Sequence, residues 1–162
     1  MSHSRFGRDR PRLVLEVTDP TVSIPTGWRT FRAMSTGFRL AIVTLVVDDY
    51  DRAIDYYCSK LGFTLEEDQP QGAKRFVRVR PPGGGCDLLL ARAKNADELS
   101  RVGDQTGGRV GFFLHTDDFD RDYGRLLEGG IDFVEQPRHE SYGSVVVFRD
   151  IYGNKWDLVE PK

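Results

Sequence analysis

Two stretches of the chain carry the same pattern of apolar and polar positions. In the first, Ile42–Val47 (IVTLVV) is a β-branched run closed by Asp48 and Asp49, the pattern of a buried strand ending at a helix cap. Ala53, Ile54, Tyr57 and Leu61 follow at three- and four-residue spacing, which predicts a helix that buries this stripe. Gly62 stands where a helix end calls for positive φ. Strands are expected over 63–67, 75–80 and Asp87–Arg92, the last two joined by the turn Pro81-Pro82-Gly83-Gly84-Gly85. A short helix over 95–102 and a glycine-rich linker over 103–108 come next. The second stretch repeats the order. It has a strand over 110–116 (VGFFLHT), a cap at Asp117-Asp118, a helix through Glu128 and a stop at Gly129-Gly130. Strands over 131–135, 144–149 and 155–159 follow, with a tight turn over 150–154 (DIYGN).

The spacing between equivalent residues is nearly constant. Asp49 and Asp118, Arg80 and Arg149, and Leu89 and Leu158 each differ by 69 positions, whereas Gly62 and Gly130 differ by 68, a slip of one inside the helix. Equivalent elements in one order at one offset indicate duplication. A strand, a helix and three strands do not alternate strictly enough for a doubly wound parallel sheet. The expected fold is therefore α+β, made of two tandem βαβββ units, residues 38–108 with the linker and 109–162. Each has a helix on one face of a mixed or antiparallel sheet, and the opposite faces curve around a shared cavity. Residues 1–37 stand apart: 1–12 is arginine-rich without amphipathic period, 13–17 (LVLEV) is a possible short strand, and Pro20 and Pro25 interrupt anything longer. This extension is read either as a flexible leader or as an arm that packs on a partner subunit.

Composition narrows the partners. With 39% hydrophobic and 30% charged residues and a net charge of −2, the chain offers no clustered basic surface for nucleic acid. No apolar run reaches the roughly 18–20 residues needed to cross a bilayer, and the start lacks the apolar centre of a secretory signal. Cys58 and Cys86 have no metal-motif spacing and are expected as reduced thiols in a cytoplasmic protein.

Several motifs carry a resemblance. Val43-Thr44-Leu45-Val46-Val47-Asp48-Asp49, Arg52-Ala53 with Tyr56-Tyr57, Leu61-Gly62-Phe63, and the closing Asp150-Ile151-Tyr152-Gly153-Asn154-Lys155-Trp156-Asp157-Leu158 together resemble the vicinal oxygen chelate superfamily, which includes glyoxalases, bleomycin resistance proteins and dioxygenases. The resemblance covers about three-quarters of the chain. It implies a concave pocket between paired units, often completed by a second chain, and hence a homodimer. Many members hold a divalent metal there, and others hold their ligand without one.

The resemblance also says where a metal would be held. First-strand ligands lie seven residues before the Asp that opens each helix, which here gives Ile42 and Gly111. Last-strand ligands fall at Asp157 and, at the 69-residue offset, Leu88, or Asp87 after a one-residue slip. A divalent cation needs three or four nitrogen, oxygen or sulfur donors, and one or two carboxylates without a histidine do not supply them. No metal ligand and no cofactor is therefore expected. The alternative is a metal-dependent lyase or dioxygenase with relocated ligands.

The remaining candidates follow from strand geometry. Gly111, Phe113 and His115 share one face of their strand, and the resemblance makes that face the cavity side if Gly111 matches a ligand position, so His115 and Asp157 are expected to look into the pocket as candidate catalytic residues, His115 for proton transfer. Both also fit structural roles, His115 as a polar core group bonded to a neighbouring strand or to Asp157, and Asp157 as a partner of Lys155 or an arginine. Phe113 is a candidate surface for stacking a planar ligand. Thr44 on the first strand, and Arg138, Glu140 and Tyr142 in the polar loop PRHESYG, complete the set of candidate substrate-binding residues. Arg75 and Arg78 face either the pocket or solvent. The reading as a whole is a small-molecule-binding protein without the usual metal triad, a resistance or binding protein or a modest lyase or isomerase.

Overall fold

The computed structural model describes residues 37–162; the expectations for 1–36, including the strand over 13–17, fall outside them. Strand β1 (Ile42–Val47) leads into helix α1 (Tyr50–Asp55), which continues as a wider helical turn over Tyr56–Lys60. Strands β2 (Thr64–Gln71), β3 (Lys74–Arg80) and β4 (Asp87–Arg92) complete the first unit, and a single-turn helix α2 (Ala96–Leu99) precedes the linker. The second unit consists of β5 (Val110–His115), α3 (Phe119–Glu128), β6 (Asp132–Phe133), β7 (Arg138–Glu140), β8 (Gly143–Arg149) and β9 (Lys155–Pro161).

The two sheets follow the same path, β1-β4-β3-β2 and β5-β9-β8-β6, with β7 also paired to β8. In each, the first and last strands run parallel and the remaining pairs are antiparallel. A parallel pair needs a long crossover, and here the helix and the intervening strands, two in the first unit and three in the second, provide it. The α+β reading and the duplicated unit both hold. Each helix opens as the sequence predicts: Asp49 accepts a hydrogen bond from the Arg52 amide at 2.9 Å, and Asp118 accepts one from the Arg121 amide at 3.0 Å. Each satisfies an amide that the helix leaves unpaired, worth about 1 kcal/mol.

The one-residue slip has a physical cause. Tyr56–Lys60 is a π-helical turn, with the Leu61 amide bonding to the Tyr56 carbonyl, so the first helix absorbs one residue more than α3 before Gly62. Gly62 and Gly130 then both take positive φ, at 75° and 77°.

A second slip corrects the sequence alignment. Val147 stands opposite Asp157, and its counterpart Arg78 stands opposite Leu89, so the partner of Asp157 in the first unit is Leu89. The turn over 81–86 is one residue longer than that over 150–154, which moves the last strand to an offset of 68. Leu88 instead faces the core with Leu90, as Trp156 and Leu158 do.

Three further elements differ from expectation. Strand β2 runs on to Gln71 although it is mostly exposed, because pairing with β3 rather than burial defines it. Strand β6 shrinks to two residues. The polar loop PRHESYG contains β7, and backbone pairing of Arg138–Glu140 with β8 overrides its polar composition.

One apolar core serves both units. Leu45, Val47, Ala53, Tyr57, Val77, Val79 and Leu90 of the first join Leu126, Phe148, Trp156 and Leu158 of the second. The Tyr57 and Trp156 ring centroids lie 6.1 Å apart, and Phe112 stacks on Trp156 at 4.3 Å.

Candidate ligand site

With the register corrected, the four positions at which the fold would hold a metal are Ile42, Leu89, Gly111 and Asp157. Three side chains of this set offer no donor. At Gly111 the room is also taken: a Cβ placed there would lie 2.5 Å from the Thr106 methyl. Asp87, the carboxylate nearest the first-unit position, is 4% exposed and receives Arg78 and Arg80. Their hydrogen bonds, Arg80 first and Arg78 second, hold its carboxyl below the usual range. Glu66 and Glu67 complete this ion-pair network on the open face of the first sheet. Among the described residues, no group of three or more His, Cys, Asp or Glu side chains is placed to hold a metal ion. The residues present do not fit one.

The open face of the second sheet is different in character. Phe113 stands opposite Asp157 across the parallel β5–β9 pair, and His115 stands opposite Val159, so the three share a face as neighbours. Phe113 is 61% exposed and His115 is exposed. The expected His115–Asp157 bond does not form, since Asp157 Oδ1 is buried without a hydrogen-bond partner among the described residues. Nor does Lys155 pair with Asp157, because its ammonium bonds to the Gly108 carbonyl. Burial pushes the Asp157 carboxyl above the usual carboxylate range, with Arg138 pulling it down and Glu135 pushing it up.

The other candidates divide. The Arg138 guanidinium is held by Glu135 at 3.0 Å and Glu140 at 2.6 Å, so Arg138 and Glu140 form an ion-paired rim on β7. Tyr142 is exposed in the turn after it. Thr44 lies on β1 of the other unit, its side chain exposed and its carbonyl bonded to Gln105. Arg75, held by Asp68 and Asp51, is committed to its own sheet edge.

Strand β5 is the edge strand of its sheet. Its inward residues Phe112 and Leu114, with Phe63, Leu88, Trp156 and Leu158, wall a cleft of about 1090 Å³ between the two units; Phe113 and His115 also line it, whereas Asp157, expected there, does not, nor do Thr44, Arg138, Glu140 and Tyr142. This volume and apolar lining suit a drug-sized molecule. The rim charges are mutually paired, with Arg121 held by Asp117 and Asp122.

Sequence reasoning missed Gln105 and Thr106, which lie in a linker of turn-like composition. It also missed the role of Asp150, whose hydrogen bond from Tyr57 spans 93 positions. No local pattern announces such contacts.

Comparison with known proteins agrees with this architecture. Residues 39–158 match the Glyoxalase/Bleomycin resistance protein/Dioxygenase superfamily. An uncharacterized protein of Shewanella frigidimarina is 53% identical over 121 residues, covering 73% of this chain and 90% of that protein. Among solved structures, TnmS3, an antibiotic binding protein from Streptomyces sp. CB03234, superposes with a TM-score of 0.64 at 29% identity, covering 78% of this chain and 98% of that one. A superfamily member from Sphaerobacter thermophilus gives a TM-score of 0.61 at 29% identity, over 76% and 97% of the two chains. Among the described residues no helix is long and apolar enough to cross a membrane. On the match across 39–158 and its duplicated unit, the chain belongs to the glyoxalase/bleomycin resistance protein/dioxygenase superfamily.

Proposed function

We propose that this protein binds a small organic molecule around strand β5 without a resident metal, as a resistance or binding protein of the cytoplasm. The observation that carries this reading is the donor set at the four metal positions, Ile42, Leu89, Gly111 and Asp157, which supplies one carboxylate. The apolar cleft takes the body of the ligand, and Phe113 offers an aromatic face for a planar part of it. His115 at the cleft wall receives its polar end, with Asp157 beside Phe113 on the open face of the same sheet. Proton transfer by His115 requires a ligand proton within about 3 Å of its ring. Similarity to an antibiotic binding protein supports a natural-product ligand.

We also propose that the protein is a homodimer. Ile42, Leu65, Phe113 and Tyr142 are large apolar side chains left exposed, and a second copy would cover them and close the cavity.

A melting-temperature screen against planar aromatic natural products tests the site. A ligand at a hundred times its dissociation constant adds about 2.7 kcal/mol to stability. The rise should shrink in Phe113→Ala and Asp157→Asn. A rise of equal size in both variants would place the ligand elsewhere and overturn the assignment.

A further inference from the structure

The segment joining the two units makes contacts that a passive tether does not need. The Gln105 side chain accepts a hydrogen bond from the Val46 amide at 2.9 Å and donates one to the Thr44 carbonyl at 2.7 Å. Its carboxamide meets the free edge of β1 as the peptide of a neighbouring strand would. Two residues earlier, Gly103 has φ of 81°, and a Cβ on it would fall 1.9 Å from the Tyr152 carbonyl oxygen in the last turn of the second unit. One residue after Gln105, the Thr106 methyl occupies the space that a side chain at Gly111 would need. Its hydroxyl is tied to the Arg109 carbonyl at 2.6 Å, so it cannot swing aside freely.

We propose that residues 103–108 are a built-in strap that fills the first-strand ligand corner of the second sheet, with Thr106 standing in for a side chain at 111 and Gln105 locking the strap to β1. The strap occupies the free edge of β1 beside Thr44 and Val46 and the space over Gly111, and leaves Phe113 and His115 as the accessible part of β5. That last consequence rests on the proposed binding site; the strap itself rests on the linker contacts alone.

The test reads no ligand, so its outcome is independent of the binding proposal. The φ of Gly111 is not positive, so alanine suits its backbone and any cost of Gly111→Ala comes from the strap. Urea midpoints are compared for Gly111→Ala, Thr106→Gly and the double variant. The strap predicts a clear drop for Gly111→Ala alone and none when it is introduced into Thr106→Gly. Equal effects in both backgrounds would overturn it. Amide exchange gives a second readout in a variant that keeps the core intact. In Gln105→Ala the Val46 amide should exchange about tenfold faster, the effect of one net hydrogen bond. Unchanged exchange there would remove the lock.

Discussion

The Tyr57 hydroxyl donates a 2.7 Å hydrogen bond to Asp150 Oδ2, joining the helix of the first unit to the closing turn of the second. Trp156 Nε1 and Asn154 Nδ2 donate to the same oxygen, and the amides of Tyr152 and Asn154 donate to Oδ1. A carboxylate this deeply buried survives because donors surround it. The Asp and Asn of the closing motif therefore shape the turn, while the Asp also clamps the two units together.

Removing the clamp hydroxyl should weaken the joint between units. Tyr57→Phe keeps the ring in the core but takes one donor from a buried carboxylate, a loss of about 1–3 kcal/mol. Urea denaturation measures it, and an unchanged midpoint would contradict the clamp.

Alkaline titration gives an independent check. Burial, then the nearby Asp150, raises the Tyr56 and Tyr57 hydroxyls well above their ordinary value, and burial with Asp48 does the same for Tyr152. In the unfolded chain these groups ionise near pH 10, at about the ordinary tyrosine value. A raised folded value means their contribution is complete below pH 10, about that ordinary value, and is lost as pH rises toward the folded values. Absorbance should show three of the six tyrosines resisting ionisation until the chain unfolds. Ionisation of all six near pH 10, again about the ordinary value, in the folded protein would contradict this.

Much of this fold is legible in the sequence because periodicity and caps are local. Asp49, Asp118, Gly62 and Gly130 mark the ends of both helices by residue type and spacing alone. The register of the last strand is not legible, because the length of the turn over 81–86 shifts it by one residue and moves the counterpart of Asp157 from Leu88 to Leu89. Of the site, Phe113 and His115 fall on one face from strand alternation alone, whereas Asp157 joins them only through the β5–β9 register. Their lack of mutual bonds does not follow from alternation, since it depends on β-pair diagonals and on the ion pairs that occupy Arg138.

Asp157 should cost stability in its ionised form. Its folded value is raised, so its favourable contribution is complete below the ordinary carboxylate range and is lost as pH climbs through the folded value. Asp157→Asn should therefore melt higher than the parent near neutrality, and the gain should vanish below about pH 4. A lower melting temperature at neutral pH would instead assign Asp157 a structural role.

Self-association should depend on Phe113. Light scattering is expected to give twice the chain mass, and Phe113→Glu should raise the dimer dissociation constant at least about tenfold. A monomer at all concentrations would remove the second copy from the proposed cavity.

The β5 site is proposed to hold its ligand without a resident metal. Calorimetric titration of zinc and manganese into tag-free, chelator-treated protein tests it most directly. The donor set predicts no one-to-one uptake tighter than about 10 μM. Stoichiometric binding well below that concentration, abolished by Asp157→Ala, would contradict it.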